Sequence, residues 1–249
     1  MKGVSMQLSD ITVVLPTLNE EKNIRNFLAS LPNACHLILV DAGDDKTAEI
    51  VAQHRLPEFT QVLRLKSTIS EARQIGAGLA KTEWLLFTDA DVVLAPAYFH
   101  ALSKYAEFDC IYGAKLSHTR FRRYYHWFAY GQRLSHKIGI PAASGSNLLV
   151  RRSIVTDVGG FDPELICNED SELVWRIKRA GYRIAFAPDT PVYATDHRRL
   201  EKGTLRKTFH SVFRCSLLYC DLIPARWRKL DWGYWSHAQQ GESSASAQD

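Results

Sequence analysis

The chain has 249 residues, 46% of them hydrophobic and 23% charged, with a formal net charge of +4. That composition describes a globular protein with ample core, one large domain or one domain with appendages, and a charge this mild does not by itself point to nucleic acid. Five scattered cysteines (Cys35, Cys110, Cys167, Cys215 and Cys220) form no Cys-x-x-Cys, which argues against zinc and against a disulfide framework and leaves reduced thiols in a cytosolic compartment as the expectation.

The first residues, Met1 to Asp10, hold no apolar core of signal-peptide length, and no stretch approaches the roughly 18 apolar residues of a membrane span. A soluble or peripheral protein is expected. Ile11 to Leu15 is a β-branched apolar run ended by Pro16 and reads as the first strand. Thr17 or Asn19 is placed to cap a helix running through Ile24, Phe27 and Leu28. Leu37 to Val40 is the second strand, closed by Asp41-Ala42-Gly43-Asp44-Asp45. A helix over Thr47 to His54, a strand over Phe59 to Leu65, a helix over Ser70 to Ala80 and a strand over Trp84 to Phe87 follow. Short β-α units repeated in this way predict a parallel sheet with right-handed crossovers.

After Pro96 the alternation breaks down. Tyr98 to Tyr105 reads as helix, Cys110 to Leu116 as a short strand, and Arg120 to Ile138 as a basic, aromatic segment. Asn147 to Val150 is a strand, and Glu169 to Ala180 a helix with acidic residues at its positive end and Gly181 at its stop. Ile184 to Ala187 and Val192 to Ala194 are two short strands, and Leu205 to Leu222 is an amphipathic helix. The tail from Gln239 to Asp249, rich in Ser, Ala and Gln, is expected to be disordered.

Chemistry concentrates at Thr88-Asp89-Ala90-Asp91, an Asp-x-Asp at the carboxyl end of the buried strand Trp84 to Phe87. Open α/β sheets bind ligands at that edge. Hard divalent cations take carboxylate oxygens and are commonly shared with substrate phosphates, so the pair suggests a metal–diphosphate site. A solvated acidic turn is the plainer reading. The loops after the first, second and fourth strands open on one edge, so topology is expected to bring Asp41, Asp89 and Asp91 together.

Five segments in order resemble the family 2 glycosyltransferases, inverting enzymes with a type-A nucleotide-sugar fold. They are Val13-Val14-Leu15-Pro16-Thr17-Leu18-Asn19-Glu20-Glu21, Val40-Asp41-Ala42-Gly43-Asp44-Asp45-Lys46-Thr47, Ala72-Arg73-Gln74-Ile75-Gly76, the Asp-x-Asp itself, and Gly159-Gly160-Phe161-Asp162 followed by Asn168-Glu169-Asp170. The likeness runs from about Ile11 to His197. The second loop is one residue shorter than the common pattern and carries Ala42 where an acidic residue is frequent, and Gln74 replaces the usual Asn. The implied architecture is a Rossmann-like nucleotide-diphospho-sugar transferase fold, α/β with a mixed, mostly parallel sheet. One domain is expected over residues 1–238, with a nucleotide-sugar half at 10–95, an acceptor and catalytic half at 96–200 and a basic extension at 201–238.

The resemblance also implies roles. Pro16, Thr17, Asn19, Glu20, Arg73 and Asp89 belong to nucleotide binding, with Asp41 accepting hydrogen bonds from the base as a carboxylate suits the uracil imide. Asp91 is the expected direct ligand of Mn²⁺ or Mg²⁺, and His197 matches the position of a second ligand in some relatives; the plainer reading of His197 is a structural residue. Asp170 is the expected base, with Glu169 beside it, against the alternative that the two merely cap a helix. Ser144-Gly145-Ser146-Asn147 resembles the family's small-residue loop, so Gly145, Ser146 and Asn147 are expected near donor sugar and acceptor. Arg176 is read as structural or supporting.

Arg120 to Lys137 and His197 to Trp235 interleave basic and aromatic residues. Such helices suit an anionic membrane surface, or else pack on the domain with a solvated basic face. No nucleic-acid module is present. The expected function is metal-dependent inverting transfer of a sugar from a nucleoside diphosphate donor, UDP favoured, to a hydroxyl of a saccharide or lipid-linked acceptor, in the cytoplasm and peripheral on the inner membrane face. The alternatives are a nucleotidyltransferase on a related fold, against which the acidic first loop counts, and a sugar-nucleotide-binding protein without catalysis.

Overall fold

The computed structural model describes residues 6–201 and 204–228. Its strands are β1 (Ile11–Thr17), β2 (His36–Asp41), β3 (Thr60–Arg64), β4 (Trp84–Phe87), β5 (Val92–Leu94), β6 (Cys110–Leu116), β7 (Leu148–Arg151) and β8 (Ile184–Ala194). Its helices are α1 (Ile24–Ser30), α2 (Thr47–His54), α3 (Ile69–Leu79), α4 (Tyr98–Leu102), α5 (Arg122–Lys137), α6 (Arg152–Asp157), α7 (Glu169–Arg179), α8 (Arg198–Glu201), α9 (Thr204–Tyr219) and α10 (Ala225–Arg228). The strands form one sheet in the order β3-β2-β1-β4-β7-β6-β8-β5.

The first half is the expected parallel unit. β1 lies between β2 and β4, parallel to both, and β3 extends the sheet beyond β2. β7 then enters antiparallel between β4 and β6, β8 is parallel to β6, and β5 closes the edge antiparallel to β8. The sheet is therefore mixed and mostly parallel.

Strand periodicity divides the core into two layers. Val13, Leu15, Leu37, Leu39 and Trp84 face one side, where Ile24 and Phe27 of α1 and Ile50 and Val51 of α2 cover them. Val14, Ile38, Val40, Leu85 and Phe87 face the other, against Ala72 of α3, Ile154 of α6 and Leu173 and Ile177 of α7. Burial on both faces is why these strands read as unbroken apolar runs.

Several expectations need correction. The first helix begins at Ile24 with Asn23 as its cap residue, and Asn23 makes no side-chain cap bond. Thr17 belongs instead to β1, while Asn19 sits in the left-handed region at φ 56° and its Oδ1 accepts the Asp44 N–H at 3.0 Å. Asn19 thus ties the first loop to the second. The two short strands after Gly181 are one strand, β8, with an irregularity opposite Gly113 and Lys115 that absorbs the break in the apolar pattern. β5 and α6 were not legible as elements, since three and six residues carry too little periodicity. Among the described residues no helix is long and apolar enough to cross a membrane. The 239–249 tail, Lys202, Lys229 and Trp235 lie outside the described residues.

Candidate active site

Five segments meet where β4 ends: the Asp-x-Asp loop, the Ser144–Asn147 loop, α3, the start of α7 and β6. Thr88 is fully buried, and its hydroxyl donates to the Ser146 carbonyl at 2.9 Å, fixing the Asp-x-Asp loop to the Ser144–Asn147 loop. Asp89 accepts from Arg73 Nη2 at 3.0 Å through one oxygen and from the Ser146 hydroxyl through the other. Arg73 also donates to Glu169 at the start of α7, so one guanidinium, 2% exposed, bridges two carboxylates. Asp170, next in α7, accepts the Gly145 and Ser171 backbone N–H groups. Gly145 is required here: a Cβ would overlap the Arg73 guanidinium. Asp91 accepts from Lys115 Nζ at 3.1 Å, and that ammonium also reaches Ser146 Oγ at 3.3 Å.

These groups line a cavity of about 680 Å³. Asp89, Asp91, Gly145, Ser146, Glu169, Asp170 and His197 all contribute to its wall, as does Arg73. Apolar and aromatic groups line it as well, among them Tyr124 and Phe128 of α5 and Val212 of α9. Burial pushes the Glu169 carboxyl above the ordinary range, against the opposing pull of Arg73. Asp170 stands outside the Arg73 bridge; it lines the cavity and accepts from backbone donors.

The residues expected on the nucleotide side form a neighbouring group. Thr17 donates to Asp41 Oδ1 at 2.7 Å, and the Gly43 N–H follows at 3.3 Å. Asp41 Oδ2 is buried without a hydrogen-bond partner among the described residues, and burial raises the pKa of that carboxyl. Pro16 pairs in register with Val40 at the same strand ends. Glu20 accepts from Asn23 at 2.7 Å and from Arg198 at 2.9 Å, and burial raises its pKa too. None of Pro16, Thr17, Asn19, Glu20 and Asp41 lines the cavity. The expected convergence is therefore in two parts: Asp89 and Asp91 share the cavity, while Asp41 ends β2, which β1 separates from β4 by two strand spacings, about 10 Å. Arg198 joins the parts, since it lines the cavity and pairs with Glu20.

His197 is 6% exposed, with Nε2 3.1 Å from Thr119 Oγ1 and Nδ1 3.4 Å from Tyr125 Oη. Burial, then the Arg120 charge, holds its pKa below the ordinary value. Asn147 departs from its expected place. It is 2% exposed, accepts from Tyr98 Oη at 2.7 Å and donates to the Thr190 and Ala114 carbonyls, so its amide is turned into the protein and does not line the cavity. Arg176 is structural: it pairs with Glu172 one turn back and donates to the Val158 and Gly160 carbonyls. Lys115 and Arg198 were missed by sequence reasoning. Lys115 carries no motif, whereas the position of Arg198 directly after His197 was a usable signal.

The donor set bears on a divalent ion. Among the described residues no three His, Cys, Asp or Glu side chains are gathered into a cation cage. Mg²⁺-type binding asks for only one or two protein carboxylates, substrate phosphates and water completing the shell, so the lack of a full cage is compatible with it.

Residues 9–214 match the sequence model described as "Glycosyltransferase like family 2". The pre-mycofactocin glycosyltransferase of Mycobacterium tuberculosis is 27% identical over 221 residues, covering 81% of this chain and 46% of that protein. The probable glycosyltransferase YdaM of Bacillus subtilis is 26% identical over 210 residues, covering 73% and 50%. The chain spans about half the length of these curated relatives. Among solved structures, the mannosyltransferase PcManGT from Pyrobaculum calidifontis, in complex with GDP-Man and Mn²⁺, aligns with a TM-score of 0.64 at 18% identity, covering 96% of this chain and 76% of that one. S. aureus TarS in complex with UDP-GlcNAc aligns at 0.59 and 20% identity, covering 75% and 58%. These likenesses carry the fold, the type-A glycosyltransferase architecture. With most of its length matched by the family's sequence model and its motifs gathered at one sheet edge, the chain belongs to the family 2 glycosyltransferases.

Proposed function

We propose that the protein transfers a sugar from a nucleoside diphosphate donor, UDP favoured, to an acceptor hydroxyl by single displacement with inversion. The observation that carries this reading is the meeting of Asp89 and Asp91 with Glu169 and Asp170 in one cavity lining, with Arg73 bridging Asp89 to Glu169. Asp41 and Thr17 receive the base; the buried, unpartnered Asp41 Oδ2 suits an imide N–H. Arg73, Asp89 and Ser146 form the rigid wall beside the donor. Asp91 would hold Mn²⁺ or Mg²⁺ together with the donor diphosphate, with His197 as the candidate second ligand. A divalent ion there supplies charge neutralisation for the leaving group.

Asp170 is the base. The acceptor oxygen forms a bond to the anomeric carbon, the bond from that carbon to the diphosphate oxygen breaks, and its electron pair leaves with the nucleoside diphosphate. Asp170 takes the hydroxyl proton. Arg73 engages Asp89 and Glu169 and Lys115 engages Asp91, so Asp170 is the carboxylate left to take the proton, which supports single displacement. The solved type-A structures noted above hold UDP-GlcNAc in one case and GDP-Man with Mn²⁺ in the other, which supports a nucleotide sugar and a divalent ion here.

The test is calorimetric titration of the protein and of Asp91→Asn with UDP, GDP, CDP and dTDP, with and without Mn²⁺. One nucleotide is expected to bind, at least tenfold more tightly with metal, and the metal enhancement is expected to vanish in the variant. Equal binding with and without Mn²⁺ would remove Asp91 from the metal role. Binding of none of the four would overturn the donor site.

A further inference from the structure

α5 points its apolar stripe away from the core. Trp127, Tyr130, Leu134 and Ile138 recur at spacings of three, four and four, which is one face of a helix, and they are 73%, 60%, 51% and 68% exposed. The opposite face holds the buried Tyr125 and Gln132. An ordinary surface helix shows the reverse arrangement. A run of large apolar groups in water marks an interaction surface.

The charges beside the stripe select the partner. Arg122, Arg123, Arg133 and Lys137 are all exposed, and the helix contains no Asp or Glu. Arg122, Arg123 and His126 form a shallow hollow together with Trp127 and Tyr130. Basic groups around an aromatic, apolar stripe match an anionic lipid interface, where the rings sit at headgroup depth and the cations meet lipid phosphates. α9 adds a second exposed stripe in Phe209, Val212 and Phe213. Val212 belongs both to that stripe and to the cavity wall, so the cavity is continuous with this surface.

We propose that the exposed face of α5 docks on an anionic lipid bilayer, turning the apolar side of the cavity toward the membrane. On the glycosyl-transfer reading this makes the acceptor a hydroxyl-bearing amphiphile reached from the lipid side; the docking itself does not depend on that reading.

The full chain would be sedimented with vesicles of phosphatidylcholine alone and of phosphatidylcholine with one quarter phosphatidylglycerol. The probe variant is Trp127→Ser combined with Tyr130→Ser, both solvent-exposed and neither lining the cavity. Binding is expected only to the anionic vesicles, weakened by salt, and reduced at least about tenfold in the variant. Brominated acyl chains are expected to quench tryptophan fluorescence in the parent and less in the variant. Calorimetric nucleotide binding is expected to be unchanged in the variant, so failure of docking and failure of the donor site read out separately. Absence from both vesicle pellets, equal pelleting of parent and variant, or a concentration-dependent dimer abolished by the variant would each overturn the proposal, the last by making the face a contact between copies.

Discussion

Two adjacent carboxylates, Glu169 and Asp170, have different surroundings and so different capacities. Glu169 is 4% exposed and its oxygen is committed to Arg73, which also holds Asp89. Its effect is to fix the guanidinium, and through it the Asp-x-Asp loop. Asp170 accepts backbone N–H groups and keeps its place on the cavity wall, where a hydroxyl can be met. General-base removal typically costs about 10²–10⁴-fold in rate. Asp170→Asn is therefore expected to lower kcat by that factor with donor KM within about threefold, read from steady-state release of nucleoside diphosphate. A kcat within threefold of the parent would take the base role from Asp170. The four carboxylates were legible because each belongs to a motif. Lys115 was not, because a cation on an exposed-looking strand end has no meaning until Asp91 is found 3.1 Å away.

At the scale of the element, α3 shows how a short motif is several physical requirements in sequence. Thr68 accepts the Glu71 N–H at 3.3 Å while Glu71 accepts the Thr68 N–H at 2.7 Å, a reciprocal capping box that starts the helix one turn before Arg73. Gln74 accepts the Phe161 N–H at 2.8 Å, joining the helix to the Gly159–Asp162 turn. Gly76 is needed because a Cβ would run into Val14 of β1. Thr68→Ala is expected to destabilise the protein by about 1 kcal/mol, measured by urea unfolding, since one N-terminal donor loses its acceptor. An unchanged unfolding midpoint would show that packing against β1 and β2 alone sets the start of α3. The existence of α2, β4 and β6 was legible to the residue, whereas the outward face of α5 was not. Its period is helical either way, and only the neighbouring β6 and β8 decide which side is inside.

At the scale of the whole molecule, a buried ion triad couples the two halves of the chain, since Arg73 and Glu169 are 96 positions apart. Burial raises the Glu169 pKa from its ordinary 4.5, so the folded state binds a proton that the unfolded chain gives up first. The stabilisation linked to that proton is full below 4.5 and is lost as pH rises through the folded value. Unfolding free energy is expected to fall across that window in the parent and to fall less steeply in Glu169→Gln, measured by urea unfolding at pH 4.5 and pH 7.5. Identical slopes would place the pH dependence on other groups, Glu20 and Asp41 among them, whose pKa values burial raises in the same direction. The sequence by itself determined what is written locally: the apolar periods of the first four strands, the helices between them, the turns that end them, and the motifs that mark the site. The tertiary structure alone decided the insertion of β7 antiparallel beside β4, the inward turn of Asn147, the separation of Asp41 from the cavity, and the pairing of Arg73 with both Asp89 and Glu169. Each of those depends on which distant groups share a buried volume, and a buried polar atom takes whatever partner that volume offers.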